Sequence, residues 1–480
     1  MGEQYPIYVG GEWATSDRPL VVKNPYNDEA VGTTYLATAD QLDSAVQAAE
    51  ASFCELRRMP TFDRVALLRG LAARLKARRD EFIRTVALEA GKPVREAEVE
   101  VDRGAFTLET AAEEAKRIEG EVIPLDLLAS SKGRFGVVRR FPIGPIAGIS
   151  PFNFPLNLAL HKVAPALASG NPIVLKPPSA APLTMLSFAR LAEEVGVPKG
   201  ALSVLPMDRE TGDKLVSDER FKLLSFTGSP DVGWDMKRRA GMKPVVLELG
   251  GNAGVLLDDD ADVEFAVGRI RTGAFSYAGQ VCISVQRVFI LESIYERVRD
   301  GIVAAAQSLK TGDPLDPATE LGPMIDGKAA GRSQQWVEEA VRGGARVLTG
   351  GQAEGRFFQP TVIENADPRS FVCSREAFAP LVTLFPVRSF RKGVEMLNDS
   401  VYGLQAGVFT NRLEHSLYAF ETVETGAVIV NDVPTYRIDH MPYGGVKASG
   451  LSREGIRYAI EDMTEPRLMV INRLESQAVR

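Results

Sequence analysis

Three residues of this chain have the side chains and local settings that nucleophilic catalysis requires. Cys282 lies in the stretch AGQVCISVQR, and a thiolate is a much better nucleophile than a hydroxyl once neighbouring groups lower its pKa. Glu248 ends the apolar run VVLELGG, where burial would raise the carboxyl pKa and suit it to act as a general base. Asn153 in SPFNFP offers an amide hydrogen to a developing oxyanion.

Each of these residues also has an ordinary structural interpretation. An isolated cysteine is most often a small buried apolar residue. A glutamate at a strand end is commonly satisfied by backbone donors, and Asn153 is a common type of turn residue. The residues therefore indicate catalysis as a group rather than singly.

A second group of motifs suits a phosphate-bearing ligand. Gly228 and Gly233 in FTGSPDVG flank a predicted helix start, and free N–H groups at a helix N-terminus attract phosphate. Their spacing matches neither the dinucleotide fingerprint nor the phosphate-binding P-loop. Lys176 in VLKPPS and Glu376 in SREAFAP suit ribose hydroxyls or a ribose phosphate, although most glutamates are solvated.

Composition excludes several functional classes. With 56 basic and 63 acidic side chains the net charge is -7, so neither nucleic acid nor an anionic membrane is an expected partner. Cys54, Cys282 and Cys373 are too scattered for a disulfide framework, which favours the cytoplasm. No ligand spacing indicates a metal site. The N-terminus lacks the layout of a secretory signal.

The hydrophobic pattern predicts an α/β fold. From about residue 145, short apolar runs alternate with helical patterns, which is typical of a doubly wound parallel sheet. Residues 39–117 read as amphipathic helices, and 121–143 as two extended arms around a turn, with another extended segment, RLMVINRL, near the C-terminus. A second α/β stretch runs from about 251 to 440, and turn-rich residues 441–450 have the chemistry of a linker.

Taken in order, SPFNFP, VLKPPS, FTGSPDVG, LELGG, GQVCIS, EAFAP and MPYGGVKASG closely resemble the aldehyde dehydrogenase superfamily, over nearly the whole chain. The resemblance is strongest to the branch of lactaldehyde and non-phosphorylating glyceraldehyde-phosphate dehydrogenases. It implies that Cys282 attacks an aldehyde to give a thiohemiacetal, whose oxyanion is stabilised by Asn153 and the Cys282 N–H. Hydride then passes to a nicotinamide, and Glu248 activates the water that hydrolyses the remaining thioester to a carboxylic acid.

The resemblance also implies a cofactor site and a domain plan. The implied dinucleotide contacts are Ser150, Pro151, Phe152, Lys176, Ser179, Gly228, Ser229, Gly233, Leu249, Glu376 and Phe378. The implied domains are a Rossmann-type dinucleotide-binding domain of residues 1–120 and 144–250 with 446–462 packed back on it, an α/β catalytic domain of 251–445, and an oligomerisation arm of 121–143 and 463–480. Homodimers or homotetramers are implied.

Two departures from the family pattern matter. Many members have glutamate where this chain has Ser179, and that glutamate binds the ribose 2′-hydroxyl, so NADP as well as NAD is an expected cofactor. Ala379 replaces the usual glycine of EAFAP. Two alternatives remain at this point: acyl transfer to coenzyme A, whose enzymes tend to lack the glutamate present here as Glu248, and a non-catalytic binding protein.

Two arginines are candidates for substrate recognition. By the resemblance, Arg103 falls on a helix lining the substrate tunnel, and Arg437 lies in the loop before MPYGGVK. Arginine in a partly dry tunnel binds carboxylate, phosphate or sulfonate well, which favours a small anionic or hydroxylated aldehyde. The alternative is that Arg103 pairs with Glu98 or Glu100, and Arg437 with Asp439. Val281 precedes the nucleophile where phosphate-substrate relatives have another arginine.

Overall fold

The continuous apolar runs of the sequence form the centres of two large β-sheets. A computed structural model describes residues 3–473, so the predicted arm residues 474–480 lie outside the described part. In chain order, strands β1 to β25 are Glu3–Gln4, Ile7–Val9, Glu12–Ala14, Pro19–Lys23, Ala30–Tyr35, Glu121–Pro124, Arg134–Pro142, Ile146–Ile149, Ile173–Lys176, Leu202–Val204, Leu223–Thr227, Val245–Glu248, Gly254–Leu257, Arg287–Leu291, Arg346–Thr349, Ala353–Glu354, Phe357–Phe358, Thr361–Glu364, Leu381–Val387, Tyr402–Gly403, Gln405–Phe409, Ala427–Val430, Val446–Lys447, Gly450–Leu451 and Thr464–Asn472.

Helices cover both large sheets. In chain order, α1 to α15 are Ala39–Leu56, Thr61–Ala77, Arg79–Ala90, Val94–Ala115, Asn157–Ser169, Leu183–Val195, Arg209–Ser217, Pro230–Arg239, Val263–Phe275, Tyr295–Gln307, Gly327–Arg342, Phe371–Ser374, Phe390–Asn398, Leu413–Thr422 and Ile456–Asp462. Short 3-10 turns lie at Ala129–Ser131, Ser276–Gly279 and Glu292–Ile294. Within residues 3–473, no helix combines the length and apolar character that crossing a membrane requires.

The first large sheet has eight strands in the order β24-β12-β11-β8-β9-β10-β2-β3. Its five central strands are parallel, and most of their residues are buried on both faces, as the unbroken apolar runs predict. Ile149 pairs with Lys176, and Thr227 pairs with Glu248. The carboxyl ends of these strands therefore meet at one edge of the sheet, where ligands of doubly wound folds bind.

The second large sheet has seven strands in the order β15-β18-β19-β14-β13-β21-β22. The chain crosses from the first sheet to the second between Glu248 and Gly254, and the segment leading into β14 runs beside this crossing. A Cβ built on Gly251 would lie 3.0 Å from the Cys282 carbonyl oxygen. The junction of the two sheets therefore brings the ends of two distant sequence motifs together.

The predicted extended arms form a separate three-stranded antiparallel sheet, β25-β7-β6. β25 pairs with β7 along its full length, from Thr464 opposite Pro142 to Asn472 opposite Arg134. Apolar side chains on this sheet are exposed, including Val122, Leu468 and Met469. The arm thus leaves an apolar surface uncovered in one copy of the chain.

The prediction of a linker at residues 441–450 is wrong. In this segment Val446–Lys447 pairs with β20, and Gly450–Leu451 pairs with β12 beside Leu247 and Glu248. The glycines that suggest a flexible turn are instead required by close packing: a Cβ on Gly450 would lie 2.4 Å from the Leu247 carbonyl oxygen. The segment is an ordered part of the sheet edge.

Candidate active site

A cavity of about 400 Å³ lies at the junction of the two large sheets. Segments far apart in sequence supply its walls: the loop after β8, the end of β12, the loop before β14, and the loop before β23. Cys282, Glu248 and Asn153 all line it, and so do Arg437 and Tyr443. The three residues that sequence reasoning selected as a group therefore share one enclosed space.

A left-handed turn delivers Cys282 to this cavity. Tyr277, Ala278 and Gly279 all have positive φ angles, of 47°, 52° and 67°, which is costly for residues that carry a Cβ. The Tyr277 hydroxyl holds the turn by donating to the Ala90 carbonyl at 2.6 Å. At position 279 a Cβ would meet the Ala379 carbonyl oxygen at 2.1 Å, so only glycine fits there.

The Cys282 thiol is part-buried, and its one described hydrogen-bond contact within residues 3–473 is with a phenol. Its Sγ lies 3.0 Å from the Tyr443 hydroxyl oxygen. Burial raises the pKa of the Cys282 thiol from 9.0 to about 11; the Tyr443 hydrogen bond and the charge of Arg437 act to lower it, and Glu376 and Glu248 act to raise it. Forming the thiolate at neutral pH therefore depends on donors and cations around the sulfur.

A buried ion pair holds the loop that carries Asn153. Lys92 and Glu100 pair in the interior, and the free oxygen of Glu100 accepts the backbone N–H groups of Leu156 and Asn157 at 2.9 and 3.2 Å, which caps the start of α5. Asn153 donates one amide hydrogen to the Gln280 carbonyl at 2.9 Å. Because the amide has two hydrogens, one is left for a ligand oxygen.

Glu248 is a buried carboxyl with both oxygens free of hydrogen-bond partners in the described structure. The backbone-satisfied interpretation of this residue is therefore wrong. Burial raises its pKa well above the usual range, the charge of Glu454 adds to the rise, and Arg437, Lys162 and Arg453 oppose it. A carboxylate with a raised pKa is a stronger base than an ordinary glutamate, and this one is free to contact a water.

Charged side chains on α5 and in two later loops surround Glu248. Lys162 bonds Glu454 at 3.0 Å, and Arg437 bonds the other oxygen of Glu454 at 3.2 Å. Burial acts to raise the pKa of Glu454, but Lys162, His161 and Arg437 bring it down to about 2. Glu454 is therefore an anion that neutralises part of the positive charge in the cavity.

The two predicted substrate arginines have different partners from those expected. Arg103 pairs in a bidentate manner with Asp439, at 2.7 and 3.1 Å, and not with Glu98 or Glu100. Arg437 pairs with Glu454 and not with Asp439. The buried His161 lies between these pairs: its Nε2 is 2.8 Å from Asp439, and its Nδ1 is 3.4 Å from Arg437. Arg437 lines the cavity, whereas Arg103 does not.

The far half of the cavity suits a dinucleotide. The start of α8 opens onto it through Gly228, Ser229 and Val232, and Ser229 makes no side-chain cap, which leaves backbone N–H groups available to phosphate. The part-buried Glu376 accepts a hydrogen bond from the Gly251 N–H at 3.1 Å, and desolvation raises its pKa to about 7. Such a carboxyl suits a ribose hydroxyl as partner.

Most predicted cofactor residues line this cavity, and three do not. Those that line it are Ser150, Pro151, Phe152, Gly228, Ser229, Leu249, Glu376 and Phe378. Gly233 packs beneath it, because a Cβ there would lie 2.4 Å from the Leu249 side chain. Lys176 and Ser179 lie outside its walls, near Gly212 and the Met207 carbonyl.

Sequence reasoning missed three ionisable residues that line the cavity: Tyr443, Glu454 and Arg332. Tyr443 stands within the quoted motif MPYGGVKASG, but its hydroxyl has no expected role in a segment interpreted as a linker. Glu454 has no signal in its surroundings, since LSREGI resembles any solvated loop. Arg332 lies on α11, whose amphipathic pattern places charged residues on an exposed face.

Comparison with known proteins agrees with the family resemblance. Residues 13–469 match the model of the aldehyde dehydrogenase family. The 3-sulfolactaldehyde dehydrogenase of Priestia aryabhattai is 42% identical over 471 residues, which is 98% of each chain. Aldehyde dehydrogenase 21 of Physcomitrella patens, solved with the reaction product succinate, is 44% identical with a TM-score of 0.97, over 99% of this chain and 100% of that one.

A further solved structure extends the comparison to a bound dinucleotide. Glyceraldehyde-3-phosphate dehydrogenase from Methanocaldococcus jannaschii, complexed with NADP, is 37% identical with a TM-score of 0.92, over 95% of this chain and 100% of that one. The predicted family, α/β fold class and enzymatic aldehyde oxidation are therefore confirmed. From its motifs, its fold and its relatives, the chain belongs to the aldehyde dehydrogenase family.

Proposed function

We propose that Cys282, Glu248 and Asn153 carry out the oxidation of a small anionic aldehyde to a carboxylic acid in the cavity between the two sheets. One observation carries the proposal: Glu248 is buried in the same cavity as Cys282, and both of its oxygens lack hydrogen-bond partners among residues 3–473. Leaving a buried carboxyl unsatisfied costs stability, so its retention fits a catalytic use. It also favours hydrolysis over acyl transfer to coenzyme A, and catalysis over a purely structural role.

The reaction follows from these positions. The Cys282 thiolate adds to the aldehyde carbon, and the resulting oxyanion accepts hydrogen bonds from the remaining amide hydrogen of Asn153 and from the Cys282 N–H. When bound, a nicotinamide dinucleotide supplies the hydride acceptor. The carbon that has lost hydride is then a thioester of Cys282. Glu248 takes a proton from water, which attacks the thioester and releases the carboxylic acid and the Cys282 thiolate.

The proposed substrate carries a carboxylate or similar anion on a short chain. Arg437 supports this, because it is buried beside Cys282 and its Nε has no hydrogen-bond partner in the described structure. A donor left free on a buried guanidinium suits a ligand anion. Arg103 supports the site indirectly, through Asp439 and His161. The related enzymes act on, or were solved with, anionic compounds: 3-sulfolactaldehyde and succinate.

The proposed cofactor is NADP or NAD, with NADP accepted because position 179 carries no carboxylate. Ser179 is exposed and follows the carboxyl end of β9. Lys176 is the last residue of that strand. Burial lowers the pKa of Lys176, while Asp208 acts to raise it. Asp208 is itself paired with Arg18, which leaves Lys176 available to an incoming 2′-phosphate.

We further propose that the chain works as a homodimer or homotetramer in the cytoplasm, with the domain division given by the resemblance. The exposed apolar side chains of the arm support assembly through that sheet, because an uncovered apolar surface favours burial against another copy. The unpaired cysteines, Cys54, Cys282 and Cys373, suit a reducing compartment. The sheet containing β8 to β12 would bind the dinucleotide, and the sheet containing β13 and β14 would carry the nucleophile.

Replacing Cys282 with alanine is expected to abolish aldehyde oxidation and to leave dinucleotide binding unchanged, because only the nucleophile is removed. Reduced dinucleotide formed by the purified variant, followed at 340 nm, measures the loss. Cys373→Ala is the matched control, because Cys373 is buried away from the cavity. Substantial oxidation by Cys282→Ala contradicts the proposal.

Glu248→Gln is expected to give one rapid turnover followed by little further reaction, because thioester hydrolysis loses its base. Rapid mixing measures the burst. In the wild type, hydrolysis requires the carboxylate, so its rate should fall as pH drops through the raised pKa of Glu248. The Glu248→Gln variant should lack this fall in rate at low pH. Unchanged steady turnover with the wild-type pH dependence would remove Glu248 from the mechanism.

Arg437→Ala is expected to lose about 10- to 100-fold more kcat/KM with succinic semialdehyde than with butanal, the size of one charge-assisted hydrogen bond. The two aldehydes have the same chain length and differ in charge. Arg103→Ala is the comparison variant, since its guanidinium bonds Asp439 outside the cavity wall. Equal losses on both aldehydes would indicate that Arg437 does not bind the anionic group of the substrate.

Ser179→Glu is expected to weaken NADP binding relative to NAD, because a carboxylate at this position repels the 2′-phosphate. Dissociation constants for the two dinucleotides, measured by fluorescence on the protein without aldehyde, give the ratio. Ser308→Glu adds the same charge at an exposed helix end in the other sheet unit and controls for net charge. The prediction is wrong if the ratio of the NADP and NAD dissociation constants is the same in the wild type, Ser179→Glu and Ser308→Glu.

A further inference from the structure

Tyr443 contacts the atom that the proposed reaction depends on. Its hydroxyl oxygen is 3.0 Å from Cys282 Sγ, and its side chain is buried. Its backbone is fixed as well, because Tyr443 and Glu454 exchange backbone hydrogen bonds across an isolated bridge. The Tyr443 N–H donates to the Glu454 carbonyl oxygen at 3.0 Å. The phenol is therefore held in place by the same loop that positions Glu454.

A cation lies directly over the Tyr443 ring. The guanidinium carbon of Arg437 is 3.6 Å from the ring centroid, close enough for a strong cation–π contact in a buried setting. A cation over the ring draws electron density from the phenol and strengthens it as a hydrogen-bond donor. Three residues form a continuous series: the Arg437 guanidinium, the Tyr443 ring with its hydroxyl, and the Cys282 sulfur.

We propose that Tyr443 is a catalytic residue that donates its phenolic hydrogen to the Cys282 thiolate, and that Arg437 strengthens this donation through the ring. The inference rests on the proposed role of Cys282 as nucleophile. A thiolate sulfur has no hydrogen and accepts only, so the hydroxyl must be the donor in the reactive state. The contact thus stabilises the nucleophile before attack and is given up as sulfur bonds to the aldehyde carbon.

The charges around the sulfur agree with this assignment. Glu248 and Glu376 face Cys282 and disfavour its thiolate, whereas Arg437 favours it. Burial raises the pKa of Tyr443 well above its usual range, and the neighbouring Cys282 adds to the rise. Tyr443 therefore keeps its proton and remains able to donate it to the sulfur in a hydrogen bond. Among the described residues, it is the hydroxyl in contact with Cys282.

The test is the titration of the Cys282 thiol in the protein without cofactor or substrate. In a Cys54→Ser background, which removes the exposed cysteine, alkylation of Cys282 by iodoacetamide is followed by mass spectrometry from pH 6 to 11. Tyr443→Phe removes one oxygen and keeps the ring under Arg437. Tyr436→Phe, at a half-exposed tyrosine beside Arg437, is the matched control.

We expect Tyr443→Phe to raise the apparent pKa of Cys282 by about 1 unit, which is about tenfold less thiolate at a fixed pH below the pKa, or about 1.4 kcal/mol. The pH profile of the burst of reduced dinucleotide should move in the same direction. Tyr436→Phe should leave both unchanged. A Cys282 pKa that is the same in Tyr443→Phe as in the wild type overturns the proposal.

Two further variants keep the outcomes distinct. If Tyr443→Phe does not fold, Arg437→Met removes the cation over the ring, and its Cys282 pKa should rise as well; an unchanged value overturns the proposal. Retained oxidation in Cys282→Ala would defeat the proposed function itself, whatever the titration gives. An unshifted thiol pKa together with an inactive Cys282→Ala would defeat the role of Tyr443 alone.

Discussion

The buried carboxylate of Glu454 balances two buried positive charges at the cavity between the two sheets. It bonds Lys162 at 3.0 Å and Arg437 at 3.2 Å, and a buried ion of either sign without such a partner would be strongly destabilising. Its negative charge also adds to the burial that raises the Glu248 pKa. One anion thereby permits two buried cations and keeps a nearby carboxyl able to exchange protons.

Arg437 links the buried charges of Glu454 and Lys162 to Cys282, the proposed nucleophile. It is held by Glu454 on one side, approached by the His161 ring nitrogen at 3.4 Å on another, and stacked over Tyr443 at 3.6 Å. Burial lowers the pKa of His161 and the charge of Arg437 lowers it further, whereas the hydrogen bond to Asp439 acts to raise it. Because the guanidinium is already restrained on three sides, it loses little conformational freedom when a ligand anion binds to it.

The meeting of the two sheets sets the geometry of the proposed catalytic residues. Glu248 ends a strand of the first sheet, and Cys282 lies in the loop that leads into β14 of the second. The chain segment that crosses between the two sheets therefore sets how closely these two residues approach each other. The left-handed turn at Tyr277, Ala278 and Gly279 is the strained element of this approach, and such strain persists only where the surroundings fix it. The Tyr277 hydroxyl and the close packing at Gly279 provide that restraint.

The sequence by itself determined the family, the parallel arrangement of the first sheet and the extended arms, and it singled out Cys282, Glu248 and Asn153, which line one cavity in the folded protein. Apolar runs and short motifs are local, and local patterns are visible along one chain. Only the tertiary structure decided that Arg103 pairs with Asp439, that Arg437 pairs with Glu454, and that residues 441–450 form part of a sheet edge. The partners in these contacts are separated in sequence by up to 336 positions, and a surface-like stretch such as the one around Glu454 carries no local sign of the buried cations that it meets in the folded protein.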